Sequence, residues 1–424
     1  MHILYPFAIH LYGLFLRLAA LFHPKAARWI AGRRHWRRRH RELLKENTPG
    51  GGPLVWFHCA SLGEFEQGRP VIELLKAGHP EVRILLTFFS PSGYEVRKGY
   101  GGADYIAYLP LDTPANARDF VALWQPAAAV FVKYEFWASH LRALREAGVP
   151  IVLASALFRP EQLFFRRHGG FFRQLPGWFA HIFVQDEGSA RLLREAGFDN
   201  YTVAGDSRVD RVLQIAEQAP SFPLVERFAG RAPVLVIGSS WPEDEARLLP
   251  FLNEQLPPEW KAIIAPHQVD EGHIRQITGR LKLPWQRYSE ALKREEAQTR
   301  GEEKVEARVL VIDNIGLLSA LYQYGRIAYI GGAFGSGLHN TLEPIAFGLP
   351  VIFGPKYQKF EEARYLVQSG GGFSISSREE LQEKFAELRR EEAWRTASQK
   401  ARAYVLQNSG ASEKASAFIR DLLG

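Results

Sequence analysis

The sequence predicts an α/β protein of two halves, each a doubly wound parallel sheet with helices on both faces. Short apolar runs of strand length alternate with helical patterns along most of the chain. Small-residue loops join several of these runs to the helix that follows, and a stretch rich in Pro, Ala and Gly separates two such series. We therefore expect two domains that face a cleft, divided as an N-terminal segment 1–48, a first domain 49–217, a linker 218–233 and a second domain 234–424.

The composition is that of a globular enzyme, with 46% hydrophobic and 23% charged residues in a chain of 424. The single cysteine, Cys59, excludes an intramolecular disulfide and gives no support for a thiolate metal cluster. The formal net charge of +7 suggests an anionic partner.

The N-terminal segment begins with a mostly apolar run, Ile3–Phe22, which Pro6, His10 and Arg17 interrupt. A dense cationic tract, Arg33–Arg41, follows. An apolar helix before a basic one is typical of an anchor in or on an anionic membrane, with the rest of the chain on the cytoplasmic side. A core helix with a solvated basic face is an open alternative. A nucleic-acid tail gives the apolar helix no role, so we expect no nucleic-acid partner.

The first domain opens with a buried strand, Leu54–His58, followed by the loop CASLGEFE and a helix. Glu64 lies where this helix begins. Free amide donors and the helix dipole stabilise a carboxylate there, so Glu64 could act as a general base at the edge of the sheet. The alternative is that Glu64 only caps the helix.

The next predicted strands are Arg83–Phe88, Tyr105–Tyr108, Ala128–Val132, Ile151–Ser155 and His181–Gln185. Ligands of such sheets bind outside the carboxyl ends of the strands, so polar residues of the following loops are candidates as a group. On the acceptor side we single out Ser61, Gly63, Ser90, Glu135 and Arg159.

The second domain repeats the pattern. After the strand Val234–Ile237, Ser239 and Ser240 precede a helix with Pro242 in its first turn, which predicts a phosphate cradle. Further strands, Lys261–Ala265 and Arg308–Asp313, lead into loops that carry Pro266, His267, Ile315, Gly316 and Leu317.

A glycine-rich stretch, Ile327–Phe360, closes the series with strand, loop, short helix and strand, which is a nucleotide-type βαβ unit. Asn340 or Thr341 could cap its helix. The alternative is that the glycines only make tight turns and Glu343 caps a surface helix, because a lone glycine-rich loop is a weak signal.

Taken together, the motifs resemble those of the Kdo transferases, which add 3-deoxy-D-manno-octulosonic acid (Kdo) to lipid A precursors. The resemblance implies the GT-B fold of two Rossmann-like domains, a CMP-Kdo donor bound mainly by the second domain, and a lipid A precursor reached at the cytoplasmic face of the cell inner membrane. It implies no metal and no cofactor. In chain order the motifs are HCASLGEF, LLTFFSPSGYE, KYEFWAS, AGDSRVD, GSSWPEDE, APHQ and GGAFGSGLHNTLEPIAFGLPVIFGP.

By the same resemblance, Glu64 matches the catalytic glutamate of the family. The chain departs from the family pattern at His267, where arginine is usual, at Trp241-Pro242-Glu243, where His-Glu-Gly is usual, and at Lys133. The positions that match CMP-contacting segments are Pro266, His267, Ile315, Gly316, Leu317, Asn340, Thr341, Leu342 and Glu343.

The mechanism expected from this resemblance is a direct displacement with inversion, in which Glu64 takes the proton of the acceptor hydroxyl. Two alternatives stay open. One is a membrane-bound nucleotide-sugar binding or scaffold protein, and the other is a UDP-using GT-B enzyme such as a glucosyltransferase or an epimerase.

Overall fold

The structure is a computed structural model that describes residues 4–46, 51–296, 306–335 and 337–424. The chain divides into two compact units. The first contains Met1–Arg211 with Asn408–Gly424, and the second contains Val212–Gln407. The boundary predicted between residues 48 and 49 lies outside the described residues.

Three helices open the first unit: α1 (Leu4–Ala19), α2 (Pro24–Arg33) and α3 (Trp36–Glu46). The basic segment is not separate from the globular part, because α2 and α3 bury their aromatic residues and one arginine in it. Arg33 is buried and donates hydrogen bonds to the carbonyl oxygens of Leu109 (2.7 Å) and Phe89 (2.6 Å). No helix within the described ranges is long and apolar enough to cross a membrane.

The sheet of the first unit has seven strands: β1 (Leu54–Cys59), β2 (Arg83–Phe88), β3 (Tyr105–Tyr108), β4 (Ala128–Val132), β5 (Ile151–Ala156), β6 (His181–Val184) and β7 (Tyr201–Val203). All neighbours pair in parallel, in the order β3-β2-β1-β4-β5-β6-β7. The order reverses between β1 and β4, so the loops after these strands border the switch point where such sheets bind ligands.

Helices cover both faces of this sheet. In β1, Val55 and Phe57 point into one apolar cluster, whereas Leu54 and Trp56 point into another. Strands buried on both faces need continuous apolar runs, which explains why the sequence pattern is so clear here. The helices between the strands are α4 (Leu62–Gly78), α5 (Pro91–Arg97), α6 (Pro114–Trp124), α7 (Ala138–Glu146) and α8 (Glu187–Glu195), with a 3₁₀ helix at Arg167–Trp178. Helix α9 (Ser207–Glu217) follows β7 and crosses the boundary between the two units.

The second unit also has a seven-stranded parallel sheet. Its strands are β8 (Val234–Ser240), β9 (Lys261–Pro266), β10 (Trp285–Arg287), β11 (Val309–Val311), β12 (Ile327–Ile330), β13 (Val351–Phe353) and β14 (Gly372–Ser374). The order is β10-β11-β9-β8-β12-β13-β14, and it reverses between β8 and β12. The glycine-rich stretch thus follows one of the two strands at the switch point.

The helices of the second unit are α10 (Pro223–Ala229), α11 (Pro242–Gln255), α12 (Glu271–Arg280), α13 (Tyr288–Glu296), α14 (Leu318–Leu321), α15 (Leu342–Ala346), α16 (Glu361–Ser369), α17 (Arg378–Leu388) and α18 (Glu391–Gln407), with a 3₁₀ turn at Tyr322–Tyr324. The stretch 218–233, predicted as a linker, contains α10. Pro223 is the first residue of this helix, and Leu224 and Val225 directly after it are buried. The Pro and Gly residues that suggested a linker therefore lie at the ends of a buried helix.

The last helix, α19 (Ala411–Leu423), corrects the predicted second domain 234–424. Ala411, Ala415 and Ile419 lie in the apolar cluster of the first unit with β1 and α4. The backbone amides of Gly410 and Ser412 each donate to Asp210 at 2.6 Å, which fixes the start of the helix there.

The prediction of two parallel-sheet α/β domains is confirmed. The strands that the sequence missed are β7, β10 and β14, each of three residues at an end of its sheet. So short a run carries too little apolar periodicity to separate a strand from a loop.

Candidate functional site

Glu64 lies in the first turn of α4, directly after β1 at the switch point of the first sheet. The backbone N–H of Ser61 donates to Glu64 Oε2 at 3.0 Å, and the Ser61 hydroxyl also bonds that oxygen. Among the described residues, Oε1 of Glu64 has no hydrogen-bond partner. One carboxylate oxygen therefore caps the helix while the other is available to a substrate hydroxyl.

Ser61, Gly63 and Ser90 build the loop around this carboxylate. The Gly63 N–H donates to the Ser61 hydroxyl at 3.2 Å, which caps the start of α4. Ser90 precedes α5 after β2, and its N–H donates to the Ala60 carbonyl at 2.7 Å. The loops after β1 and β2 are thus joined by a main-chain hydrogen bond beside Glu64.

Glu135 follows β4, the other strand at the switch point, in a half-buried position. The Trp137 indole N–H bonds Glu135 Oε2, and the buried imidazole of His58 lies 3.3 Å from the same oxygen. Burial lowers the pKa of His58, even though Glu135 acts in the opposite direction. His58 is therefore neutral near pH 7, so its contact with Glu135 is not an ion pair, and its Nε2 accepts from the Trp137 indole N–H at 3.1 Å.

Lys133 directly follows β4 in the left-handed conformation, with φ of 70°. Such a conformation is costly for a residue with a side chain, and strained residues of this kind cluster at functional sites. Burial lowers the pKa of its ammonium group, and four neighbouring charges act on the same group: Arg208, Glu64, Asp206 and Arg159. Glu64 and Arg159 therefore both lie near enough to Lys133 for their charges to act on its ammonium group.

Asp206 and Arg208 were missed as site residues by the sequence analysis, although the motif AGDSRVD that contains them was noted. Arg208 Nε donates to Asp206 Oδ2 at 2.7 Å, so the pair is a fixed part of this edge. The motif follows β7, the short edge strand that the pattern did not show. A strand assignment at 201–203 would have placed these residues at the carboxyl edge of the sheet.

In the second unit, several polar groups of the predicted phosphate cradle are already hydrogen-bonded within the protein. Ser240 is buried, and its hydroxyl donates to Glu245 at 2.9 Å. The backbone N–H groups of Trp241 and Gly332 both donate to Asp244 Oδ2, at 3.0 and 2.8 Å. The start of α11 is therefore capped by its own carboxylate, because acidic residues in a first turn satisfy the free amides. Ser239 adopts φ of 53° beside Gly331.

Three aromatic rings lie at the carboxyl edge of this sheet. His267 follows Pro266, the buried last residue of β9, and stacks on Trp241 with a centroid distance of 4.4 Å and an interplanar angle of 21°. His267 also lies 4.6 Å from His339. The Trp241 indole N–H donates to His339 Nε2 at 2.7 Å. We call Trp241, His267 and His339 the ring cluster.

The three residues after His339 differ in exposure. Asn340 is exposed, whereas Thr341 and Leu342 are each 1% exposed, so neither of the last two presents its side chain to solvent. Asn340 Oδ1 accepts from the Leu342 N–H at 3.1 Å and caps α15, which decides between the two caps that the sequence left open. Ser336, in the same glycine-rich stretch, lies outside the described residues.

Glu343 Oε1 accepts from the Asn340 side-chain amide at 3.0 Å. Burial raises the pKa of Glu343, although the Asn340 bond acts against this. The charge of Glu343 in turn adds to burial in raising the pKa of Tyr322. The turn after β11 is open by contrast: Ile315 is 87% exposed and Gly316 has φ of 92°. Leu317 is partly buried where α14 begins.

Among the described residues, no group of three or more His, Cys, Asp or Glu side chains could hold a metal ion.

Comparison with known proteins gives a consistent picture. The family model of "3-Deoxy-D-manno-octulosonic-acid transferase (kdotransferase)" matches residues 34–211. A 3-deoxy-D-manno-octulosonic acid transferase of Aquifex aeolicus is 28% identical over 81% of this chain and 88% of its own length. One of Bordetella pertussis is 29% identical over 87% of both chains.

Among solved structures, UDP-GlcNAc 2-epimerase from Neisseria meningitidis matches 87% of this chain and 99% of its own, with a TM-score of 0.55 and 14% identity. MurG from Acinetobacter baumannii matches the same shares with a TM-score of 0.55 and 13% identity. At such identities the likeness shows the fold alone, two parallel-sheet α/β domains that resemble those of GT-B glycosyltransferases.

Proposed function

This chain belongs to the 3-deoxy-D-manno-octulosonic acid transferase family, and from that premise we propose that it transfers Kdo from CMP-Kdo to a lipid A precursor, lipid IVA. The family supports Kdo transfer in lipopolysaccharide biosynthesis. The acceptor, the inverting course and the residue roles below are our proposal.

The observation that carries the mechanism is the position of Glu64. One of its oxygens is held by Ser61 at the start of α4, and the other has no partner among the described residues. Held in this way, the carboxylate can accept the proton of the acceptor hydroxyl as the hydroxyl oxygen attacks the anomeric carbon of Kdo. CMP leaves with the electrons of the broken glycosyl bond, on the opposite face, so the anomeric centre is inverted.

The cations Lys133, Arg159 and Arg208, near Glu64, suit an anionic acceptor. Arg159 and Arg208 both act on the charge of Lys133, and Arg208 is also paired with Asp206. The acceptor of such a transfer carries phosphate groups, and guanidinium is a good partner for phosphate. Ser61, Gly63, Ser90 and Glu135 stay acceptor-side candidates as the groups that shape this edge.

On the donor side, we propose that Glu343 accepts hydrogen bonds from the ribose hydroxyls and that the exposed Asn340 lies beside it. His267 contacts the phosphate. Ser240, Pro266, Thr341 and Leu342 are buried, so they support the site through their backbone rather than through their side chains. The remaining donor-side candidates are Ser239, Ile315, Gly316 and Leu317.

We also propose that the protein works at the cytoplasmic face of the inner membrane. Helix α1 exposes apolar side chains along one side, among them Leu4, Phe7, Leu11 and Phe15. Arg17 on the same helix is exposed as well. Apolar side chains with nearby cations are typical of helices that lie in the interface of an anionic membrane.

The function is tested by mass spectrometry of the products formed from CMP-Kdo and lipid IVA. We expect lipid IVA to gain Kdo. Calorimetric titration with CMP and with UDP provides the second arm. Binding of UDP in preference to CMP, with no Kdo product, would contradict the proposal and favour a UDP-using enzyme of the same fold.

The mechanism is tested by Glu64→Gln. We expect transfer to fall by about 10²- to 10⁴-fold, because the amide cannot accept the proton, while CMP binding stays unchanged. Glu66→Gln on the same helix is the matched control. Transfer by Glu64→Gln near the rate of the unmodified enzyme would remove Glu64 as the base.

A further inference from the structure

Two positions where the chain departs from the family pattern, Trp241 and His267, are in face-to-face contact. The planes of Trp241 and His339 lie within 13° of each other, and an N–H···N bond of 2.7 Å joins the two rings. His267 stacks on Trp241 with 4.4 Å between ring centroids, and it contacts His339 at 4.6 Å with the two rings tilted by 32°. The hydrogen-bonded pair therefore forms a nearly flat platform on which the His267 imidazole rests.

The bond from Trp241 requires a neutral His339, because the indole N–H can only donate and the imidazole must accept at Nε2. Burial is the main cause that lowers the pKa of His339, and His267 adds to it, while Asp244 acts in the opposite direction. His339 is thus kept in the form that accepts the bond. The platform is a defined hydrogen-bonded unit, with both ring orientations fixed.

The backbone under the ring cluster is fixed as well. Asp244 is fully buried and accepts from the Trp241 N–H, the Gly332 N–H and the Tyr329 hydroxyl, the last at 2.8 Å. The His267 N–H donates to the Ser240 carbonyl at 3.0 Å. The buried carboxylate of Asp244 therefore links the ends of strands β8 and β12 and fixes the backbone of Trp241.

The local charges explain why an exposed imidazole would be needed here. The first turn of α11 carries Glu243, Asp244 and Glu245, so the end of this helix is a poor site for an anion by itself. His267 is exposed at the edge of the sheet and stacks on Trp241, the residue that precedes this helix. Its ring N–H is a hydrogen-bond donor.

We propose that Trp241 is a positioning residue that acts through His267: together with His339 it holds the imidazole where it donates to the phosphate of the bound nucleotide. The inference rests on the proposed function, since it takes CMP as the ligand. In this proposal Trp241 and His267, the two departures from the family pattern, act together. The stacked imidazole of His267 makes the phosphate contact in place of the guanidinium of the usual arginine.

The test is calorimetric titration of the full chain with CMP and with cytidine, for Trp241→Ala, His267→Ala and the double variant. We expect each single variant to weaken CMP binding by roughly tenfold, because a charge-assisted hydrogen bond is lost or misdirected. Cytidine binding should stay within about twofold, because cytidine has no phosphate. The double variant should be no weaker than His267→Ala, because Trp241 acts only through His267.

Three further variants sharpen the result. Trp241→Phe keeps a ring face but loses the N–H donor, so CMP binding should fall between the unmodified chain and Trp241→Ala. Combining Trp241→His with His267→Arg restores the usual family residues and should recover CMP binding. Trp285→Ala, a partly exposed tryptophan on β10, is the matched control and should change nothing.

Additive losses in the double variant would overturn the inference, and so would equal losses for CMP and cytidine. If the unmodified chain bound no CMP, the proposed function itself would be contradicted, and the inference, which depends on CMP as the ligand, would be contradicted with it. Thermal unfolding of every variant separates a loss of binding from a loss of folding.

Discussion

At the scale of single residues, Glu343 shows how a site residue can be kept at a cost to stability. Its carboxylate is bonded by Asn340 and lies close to the buried Tyr322. Burial raises its pKa, so the ionised form is less favourable in the folded protein than in the unfolded chain. Burial thus favours the neutral form of Glu343, whereas the proposed contact with the ribose needs its carboxylate.

We predict that Glu343→Gln raises the melting temperature of the second unit by about 1 to 3 °C near pH 7. The folded pKa lies above the unfolded one, so the native carboxylate loses stability as pH rises through that interval, and the amide does not. The gain should therefore shrink toward pH 4. Scanning calorimetry across pH measures it, and CMP affinity should fall in the same variant.

The exposed Glu392→Gln serves as the control and should leave the melting temperature unchanged at every pH. A Glu343→Gln variant that is less stable than the parent at pH 7 would show that the carboxylate is favourably paired in the folded state.

The residue scale also shows where sequence reasoning stops. The positions of Glu64 and Asn340 at helix starts followed from local motifs, because a cap is a local interaction. The engagement of Ser240 by Glu245 did not, since a serine at a strand end has the same sequence signature whether its hydroxyl is free or bonded. Nor could the stacking of Trp241 on His267 be read from residues 26 positions apart.

At the scale of elements, helix α1 packs one side against the first unit and exposes the other. Tyr5 is tied to the first unit through its hydroxyl, which donates to Asp112 at 2.5 Å, and Gly13 is buried against Leu111. The other side exposes large apolar residues, with Phe7 and Phe15 more than 60% exposed. An exposed apolar stripe of this kind marks an interaction surface.

We predict that replacing Leu11, Phe15 and Leu18 together by serine weakens binding to vesicles containing anionic phospholipid by at least about tenfold. The reason is that these side chains would otherwise be buried in the membrane interface. Co-sedimentation measures the effect, and added salt should weaken binding of the parent protein.

Leu406→Ser, an exposed leucine of the second unit, is the matched control for this experiment. Equal sedimentation of the triple variant and the parent would assign the stripe on α1 to something other than a membrane.

At the scale of the whole molecule, the end of the chain belongs to the unit in which the chain begins. Ile419 of α19 is fully buried in the apolar cluster that contains Phe57 and Phe65. The start of α19 is fixed by Asp210. The first sheet is therefore covered on one face by a helix that lies about 200 residues further along the chain.

We predict that Ile419→Ala destabilises the first unit by about 2 to 5 kcal/mol, because it leaves a cavity in that core. The unfolding transition of the first unit should move to lower temperature in calorimetry. CMP binding, which we assign to the second unit, should stay unchanged. Loss of stability in the second unit instead would restore the predicted domain 234–424.

The sequence by itself determined the class of fold, most strands, the resemblance to the Kdo transferases and the position of Glu64 at the start of a helix, because buried parallel strands and helix starts leave local patterns that do not depend on the rest of the chain. The tertiary structure alone decided which sheet α19 covers, which of the site hydroxyls are engaged, and that Trp241, His267 and His339 form one cluster. These are contacts between residues distant in sequence, and an amphipathic helix or a polar loop carries the same pattern whichever partner it meets.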